Sequence, residues 1–190
     1  DESYTTSCRI ILDGGSNSNI KSYYFTHQII STNGTVNLYD VTIQNNYYNY
    51  PNGPGGAAVY VYSNAVLNIN NECIIQNNIS KQNGGAIYAD IAYSDNTNPG
   101  KIVMYDGIIR NNKTEGYGGG ICTYGELKIL SGKIYNNSSY RGGGLYVNSG
   151  DKDVSLSNVK IYNNIIAGKD VTLYPEYGSD VYFFVLFIAN

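Results

Sequence analysis

The chain has 190 residues, enough for one elongated domain with a continuous core. Its 12 Lys and Arg stand against 15 Asp and Glu, a formal net charge of -3, which excludes a basic nucleic-acid face and an acidic solvating arm. With 21 Tyr, 22 Gly, no Trp and no stretch holding a helical apolar period, the predicted class is all-β.

In chain order, residues 1–35 fit no repeat and are expected to form an atypical N-terminal coil, cap or contact segment. Repeats occupy residues 36–182. Val36-Asn37-Leu38 and Val41-Thr42-Ile43 alternate as short strands and run into the pair Asn45-Asn46. A Tyr-rich loop, Tyr47 to Pro54, leads to Gly56-Ala57-Ala58-Val59-Tyr60. Leu67 and Ile75 then precede Asn77-Asn78, and Gly84-Gly85-Ala86-Ile87-Tyr88 follows. After a polar loop, Ala92 to Gly100, the order recurs as Ile102 to Met104, Ile109, Asn111-Asn112 and Gly118 to Cys122. It recurs again as Leu127 to Ile129, Ile134, Asn136-Asn137 and Gly142 to Tyr146. The last copy holds Val154 to Leu156, Ile161, Asn163-Asn164, the loop from Gly168 to Tyr177, and Gly178 to Tyr182.

Two motifs therefore interleave: Ile-x-Asn-Asn, five times, and a Gly-rich corner followed by an apolar residue. Successive Asn pairs lie 32, 34, 25 and 27 residues apart. A fixed motif at a variable period of this size is the mark of a solenoid whose loops differ in length. Residues Gly118 to Asn137 read as one coil: a sharp Gly corner, a strand at Ile121, a turn, Leu127 and Ile129 pointing in, another corner, then Ile134 pointing in. Three strands to a coil predict a right-handed parallel β-helix of five to six coils, stacked ~4.8 Å apart. Ile43, Ile75, Ile109, Ile134 and Ile161 should form one inward column. From the first apolar residue of a coil to this Ile is seven residues in most copies but eight from Leu67 to Ile75, which predicts a bulge there.

Strict alternation then points the first Asn of each pair inward, and Asn45, Asn77, Asn111, Asn136 and Asn163 are the expected structural ladder. The second Asn is expected to face solvent. Sequons occur at Asn33, Asn78, Asn112, Asn136 and Asn137, and those at Asn78, Asn112 and Asn137 recur with the repeat, which predicts a glycosylated edge. Cys8, Cys73 and Cys122 have no metal-ligand spacing; Cys122 is expected in the core or wall, and a Cys8–Cys73 bridge stays open. The run Val181 to Ala189 is too short to span a bilayer as a helix, and it reads as a buried strand.

Gly84-Gly85-Ala86-Ile87, with looser copies at Gly118 to Ile121, Gly142 to Leu145 and Gly55 to Val59, resembles the repeats of polymorphic-outer-membrane-protein-type and adhesin-like surface proteins. That family alternates Gly-Gly-Ala-Ile with Phe, two variable residues and Asn; here Ile-x-Asn-Asn stands in the second place. The resemblance implies a parallel β-helix and an extracellular or cell-surface setting. It implies little about ligand, because both motifs are structural. No membrane-anchoring barrel is expected within these 190 residues.

Three functions fit this frame. The first is an extracellular structural protein, a filament subunit that associates head-to-tail. Its contact segment would be the apolar stretch 183–190, with Phe183, Phe184, Val185, Leu186, Phe187 and Ile188 as contact residues. The second is an adhesin whose Tyr-rich loops take glycans or cell-surface ligands, with Tyr47, Tyr48, Tyr50, Tyr93, Tyr174 and Tyr177 exposed. The third is a polysaccharide-degrading enzyme, which needs paired carboxylates on adjacent coils. Asp40 and Asp106 lie two coils apart, Arg110 sits between Gln76 and Tyr135, and His27 has no evident partner. No catalytic, cofactor-binding or metal-ligating residue is assigned, and no cofactor, nucleic acid or membrane span is expected.

Overall fold

A computed structural model describes residues 10–13, 28, 30–50, 52–91, 98–148 and 153–166, together with the backbone of 181–183. The described chain is all-β and winds through four parallel sheets in a fixed order. The first sheet stacks Ile30–Thr32, Val59–Val61, Ile87–Ala89, Ile121–Thr123, Leu145–Val147 and Val181–Phe183. The second stacks Thr35–Leu38, Val66–Ile69, Lys101–Met104, Glu126–Ile129 and Val154–Leu156. The third stacks Ile10–Asp13, Val41–Gln44, Ile74–Gln76, Ile108–Arg110, Gly132–Tyr135 and Val159–Tyr162. The fourth is made of two-residue strands: Tyr47–Tyr48, Ile79–Ser80, Lys113–Thr114, Ser138–Ser139 and Ile165–Ile166.

The molecule is a parallel β-solenoid. Its first and third sheets hold six stacked strands each, and its second and fourth hold five. Each coil has four sides, not the three read from the pattern. The additional side follows each Asn pair and is too short to register as a strand by periodicity. The segment before residue 36 also joins the solenoid, through Ile10–Asp13 beside Val41–Gln44 and Ile30–Thr32 beside Val59–Val61.

The predicted isoleucine column is present. Ile43 pairs with Ile75, Ile75 with Ile109, Ile109 with Ile134 and Ile134 with Ile161. The inner members are closed to solvent, with Ile43, Ile109 and Ile134 at 0% exposure. Leu67, Ile69, Ile102, Met104, Leu127 and Ile129 meet them from the second sheet, and Val59, Ile87, Ile121 and Leu145 from the first. Removing one such side chain from water is worth roughly 1.5–3 kcal/mol, so stacked coils hold what a single coil could not.

The residue added between Leu67 and Ile75 makes no bulge. Leu67 stays in register with Ile102, and Ile75 with Ile109. The extra residue enlarges the corner at Asn70 to Cys73, where Glu72 takes a φ of 62° and the Cys73 amide donates to the Asn70 carbonyl.

The Gly-rich corners follow from the stacking. Gly84, Gly118 and Gly142 have φ of 68°, 69° and 61°, in the left-handed region where a Cβ costs most. At the next position, a Cβ on Gly119 would stand 2.2 Å from the Gly143 carbonyl oxygen of the adjacent coil. The second Gly of the motif is therefore set by the distance between coils.

A buried asparagine ladder and a tyrosine-lined cleft

The asparagine ladder is built from the opposite member of each pair to the one predicted. Asn45, Asn77, Asn111, Asn136 and Asn163 take left-handed φ of 59°, 55°, 55°, 55° and 54°. Four of these, Asn77, Asn111, Asn136 and Asn163, are exposed, and Asn45 is half-buried. A left-handed residue reverses the strict alternation, so the residue after it points in. Asn46, Asn78, Asn112, Asn137 and Asn164 are the ones inside, at 2%, 0%, 1%, 0% and 4% exposure.

Their bonding repeats from coil to coil. The backbone amides of Asn46, Asn78, Asn112 and Asn137 donate to the Oδ1 atoms of Asn78, Asn112, Asn137 and Asn164, at 3.1, 3.0, 2.9 and 2.9 Å. The Nδ2 atoms of Asn112 and Asn137 donate to the next Oδ1, each at 3.0 Å. They also donate to the carbonyls of Ile75 and Ile109, at 3.0 and 3.1 Å. The Asn78, Asn112, Asn137 and Asn164 side chains thus each satisfy a backbone donor at a corner that the sheets leave unpaired.

This arrangement overturns the glycosylated edge. Asn78, Asn112 and Asn137 are sealed inside with their amide nitrogens engaged, so the folded chain cannot carry sugars on them. Ser80, Thr114 and Ser139, the hydroxyl residues of those sequons, are buried beside them. Ser80 and Thr114 each accept a backbone N–H two residues on, and Ser139 donates to the Arg141 carbonyl. Asn33 and Asn136 are the exposed sequon asparagines.

The outer face of the first sheet carries the chemistry. Its middle positions, Tyr60, Tyr88, Cys122 and Tyr146, stack on successive coils and are nearly closed to solvent. Tyr62, Tyr117 and Tyr124 lie against this column, with Tyr117 stacked on Tyr146 at 4.7 Å between ring centroids. The Arg141 guanidinium lies 5.6 Å from the centroids of both Tyr117 and Tyr140, a cation–π position.

Beside the column opens a cleft of about 470 Å³, lined by Asn52, Gly53, Pro54, Tyr60, Tyr62, Gln82, Asn83, Tyr88 and Asp90. The Tyr60 hydroxyl donates to Asp90 Oδ2 at 2.7 Å, and the Tyr88 hydroxyl to Asp90 Oδ1 at 3.4 Å. The Ile91 amide donates to Asp90 Oδ1 at 2.8 Å. Tyr62 is 44% exposed, with its ring 4.2 Å from that of Tyr60. Burial first, then the bond to the Asp90 carboxylate, raises the Tyr60 pKa above its ordinary 10.0; burial and the Asp90 charge raise that of Tyr88. Burial raises the Cys122 thiol likewise.

These shifts predict an alkaline instability. A phenol held neutral in the fold contributes stability in full below its unfolded pKa of about 10, and loses it as pH rises further. The melting temperature followed by circular dichroism should fall steeply above pH 10, and Tyr60→Phe should flatten that fall. An unchanged slope in the variant would show that Tyr60 ionises as freely in the fold as outside it.

The remaining candidates fall elsewhere. Arg110 is held in an outward ladder, its Nε donating to Gln76 Oε1 at 2.9 Å and its Nη1 to the Tyr135 hydroxyl at 3.0 Å. That ladder ends in a stacked pair, Tyr135 and Tyr162, with ring centroids 5.0 Å apart. Asp40 sits at a corner with a φ of 46°, and Asp106 at the equivalent corner two coils away. Tyr48, expected exposed, is an inward residue of the fourth sheet at 2% exposure, while Tyr50 is 51% exposed. Cys73 is buried in the main core. Cys8, His27, Tyr93, Tyr174, Tyr177 and the run Phe184 to Ile188 lie outside the described residues, and Phe183 is described only as strand backbone paired with Val147. Among the described residues no three His, Cys, Asp or Glu gather as metal ligands.

Asp90 was not singled out by the sequence reading. Its signal is the period of two: Tyr60 and Tyr62 on one coil, Tyr88 and Asp90 on the next, share one outer face.

Residues 72–90 match the Chlamydia polymorphic membrane protein repeat. The matched stretch lies within one coil and carries Ile75, the Asn77-Asn78 pair, the Gly84-Gly85 corner, Tyr88 and Asp90. The described β-solenoid and this match agree with the resemblance to polymorphic-membrane-protein-type repeats. No curated protein and no solved structure matches the chain.

Proposed function

We propose that this chain is a surface-displayed, non-catalytic recognition module, an adhesin-type β-solenoid that offers its Tyr-rich face to a ligand. The Tyr60, Tyr62, Tyr88 and Asp90 cleft carries the reading. It is a concave, aromatic-lined site on a rigid scaffold, with few convergent polar groups. The match of residues 72–90 to a membrane-protein repeat supports display at a cell surface. Among the described residues Asp90 is the one carboxylate lining the cleft, whereas glycoside hydrolysis uses two.

A head-to-tail fibre subunit is the second reading. It is favoured by the last described coil, where Leu156 is 36% exposed, while Ile129, its partner one coil earlier, is at 0%. One experiment separates the two. Purified full chain is imaged by electron microscopy and coupled to beads for adhesion to host or partner cells, with free chain as competitor. Dispersed particles and saturable, competed adhesion are expected for a recognition module. Filaments with an axial repeat of one subunit, and no competed adhesion, would favour the fibre.

A further inference from the structure

We infer that the cleft beside Asp90 is a binding site for a neutral carbohydrate, with Tyr62 as the stacking platform and Asp90 as the acceptor for sugar hydroxyls. This rests on the recognition reading above and names its ligand class.

Each part of the site argues for that class. Tyr60 and Tyr88 are 6% exposed, so their rings are packed away and their hydroxyls converge on Asp90. Tyr62, on the same coil as Tyr60, is the lining aromatic with its ring open to solvent. One exposed ring next to a fixed polar cluster suits a pyranose, whose apolar C–H face lies on the ring while its hydroxyls reach sideways. An aromatic cage for a quaternary ammonium needs several open ring faces, and two of the three rings among the described lining residues are covered.

The electrostatics select further. The Asp90 carboxylate already accepts two phenolic hydroxyls and the Ile91 amide, so it is oriented before any ligand arrives. Among the described residues neither Lys nor Arg lines the cleft, so a sialylated, sulfated or uronic sugar would meet the Asp90 carboxylate with no balancing cation among them. Asn52, Gln82 and Asn83 bring amides to the rim, and the volume of about 470 Å³ suits a mono- or disaccharide end. Asn83 is itself braced, its Oδ1 accepting the Tyr117 amide at 3.0 Å.

The coil spacing holds the pieces in place. Ala89 pairs with Val61 and with Thr123, so Asp90 sits between Tyr62 and Tyr124 on the neighbouring coils. Three successive coils thus hold an aromatic, a carboxylate and an aromatic ~4.8 Å apart along the axis.

The test uses the full chain and titration by ligand-detected NMR with neutral disaccharides (cellobiose, maltose, lactose and mannobiose), with sialyllactose and choline as counter-probes. At least one neutral sugar should bind saturably in the micromolar to millimolar range. Tyr62→Ala should weaken it about tenfold or more with an unchanged circular dichroism spectrum, since Tyr62 lies outside the main core. Asp90→Asn should also weaken it, while Tyr162→Ala on the third sheet should not. Absence of neutral-sugar binding, preference for sialyllactose or choline, or full affinity in Tyr62→Ala would overturn the inference. Bead adhesion that persists in Tyr62→Ala alongside any of these results would leave the recognition reading standing and place its ligand on another face.

Discussion

Asn137→Ala should destabilise the solenoid by roughly 3–5 kcal/mol, whereas Asn136→Ala, one residue earlier, should cost about 1 kcal/mol. The large figure comes from the groups left behind. Without the Asn137 side chain, the Asn112 amide loses its 2.9 Å acceptor, the Asn112 Nδ2 loses its 3.0 Å acceptor, and the Ile109 carbonyl loses a donor. All lie in a buried corner, and each unsatisfied buried group costs about 1–3 kcal/mol. Asn136 is exposed with a φ of 55°, so alanine there meets only the left-handed penalty, and Asn136→Gly should be nearly neutral. Thermal and urea unfolding of the three variants decides the matter. Equal losses at the two positions, or the greater loss at Asn136, would mean that the ladder runs through the other member of the pair.

Ile134→Asp should break the solenoid at the coil before the last described one. Ile134 is at 0% exposure between Ile109 and Ile161, and among the described residues nothing in that column can pair with a carboxylate. Burying a charge there costs several kcal/mol or more, beyond the lost isoleucine packing. A solenoid is held by nearest-neighbour contacts, so the damage should be local. Limited proteolysis should cut within residues 126–140, with coils on the N-terminal side persisting longest. Ile161→Asp, in a half-buried position on the last described coil, should be distinctly milder. Unfolding curves for Ile134→Asp that overlay those of the parent chain would remove Ile134 from the core.

What could be read from the residues alone followed from repetition. The recurrence of Ile-x-Asn-Asn, a period of two within each strand and Gly at each corner determined a parallel β-solenoid. They also determined which five isoleucines stack, because side-chain direction in a strand depends on parity alone. The rest depended on events that parity does not record. A left-handed backbone at Asn45, Asn77, Asn111, Asn136 and Asn163 shifts the phase by one residue, so the following Asn turns inward and the sequons at Asn78, Asn112 and Asn137 become core. The same phase shift makes the two-residue fourth side, such as Ser138–Ser139, which no propensity marks. The meeting of Tyr60 with Asp90, 30 residues apart at 2.7 Å, was likewise decided only in three dimensions. Loop length sets how far apart such residues lie in the chain, but the hydrogen-bonded register between adjacent coils brings them together.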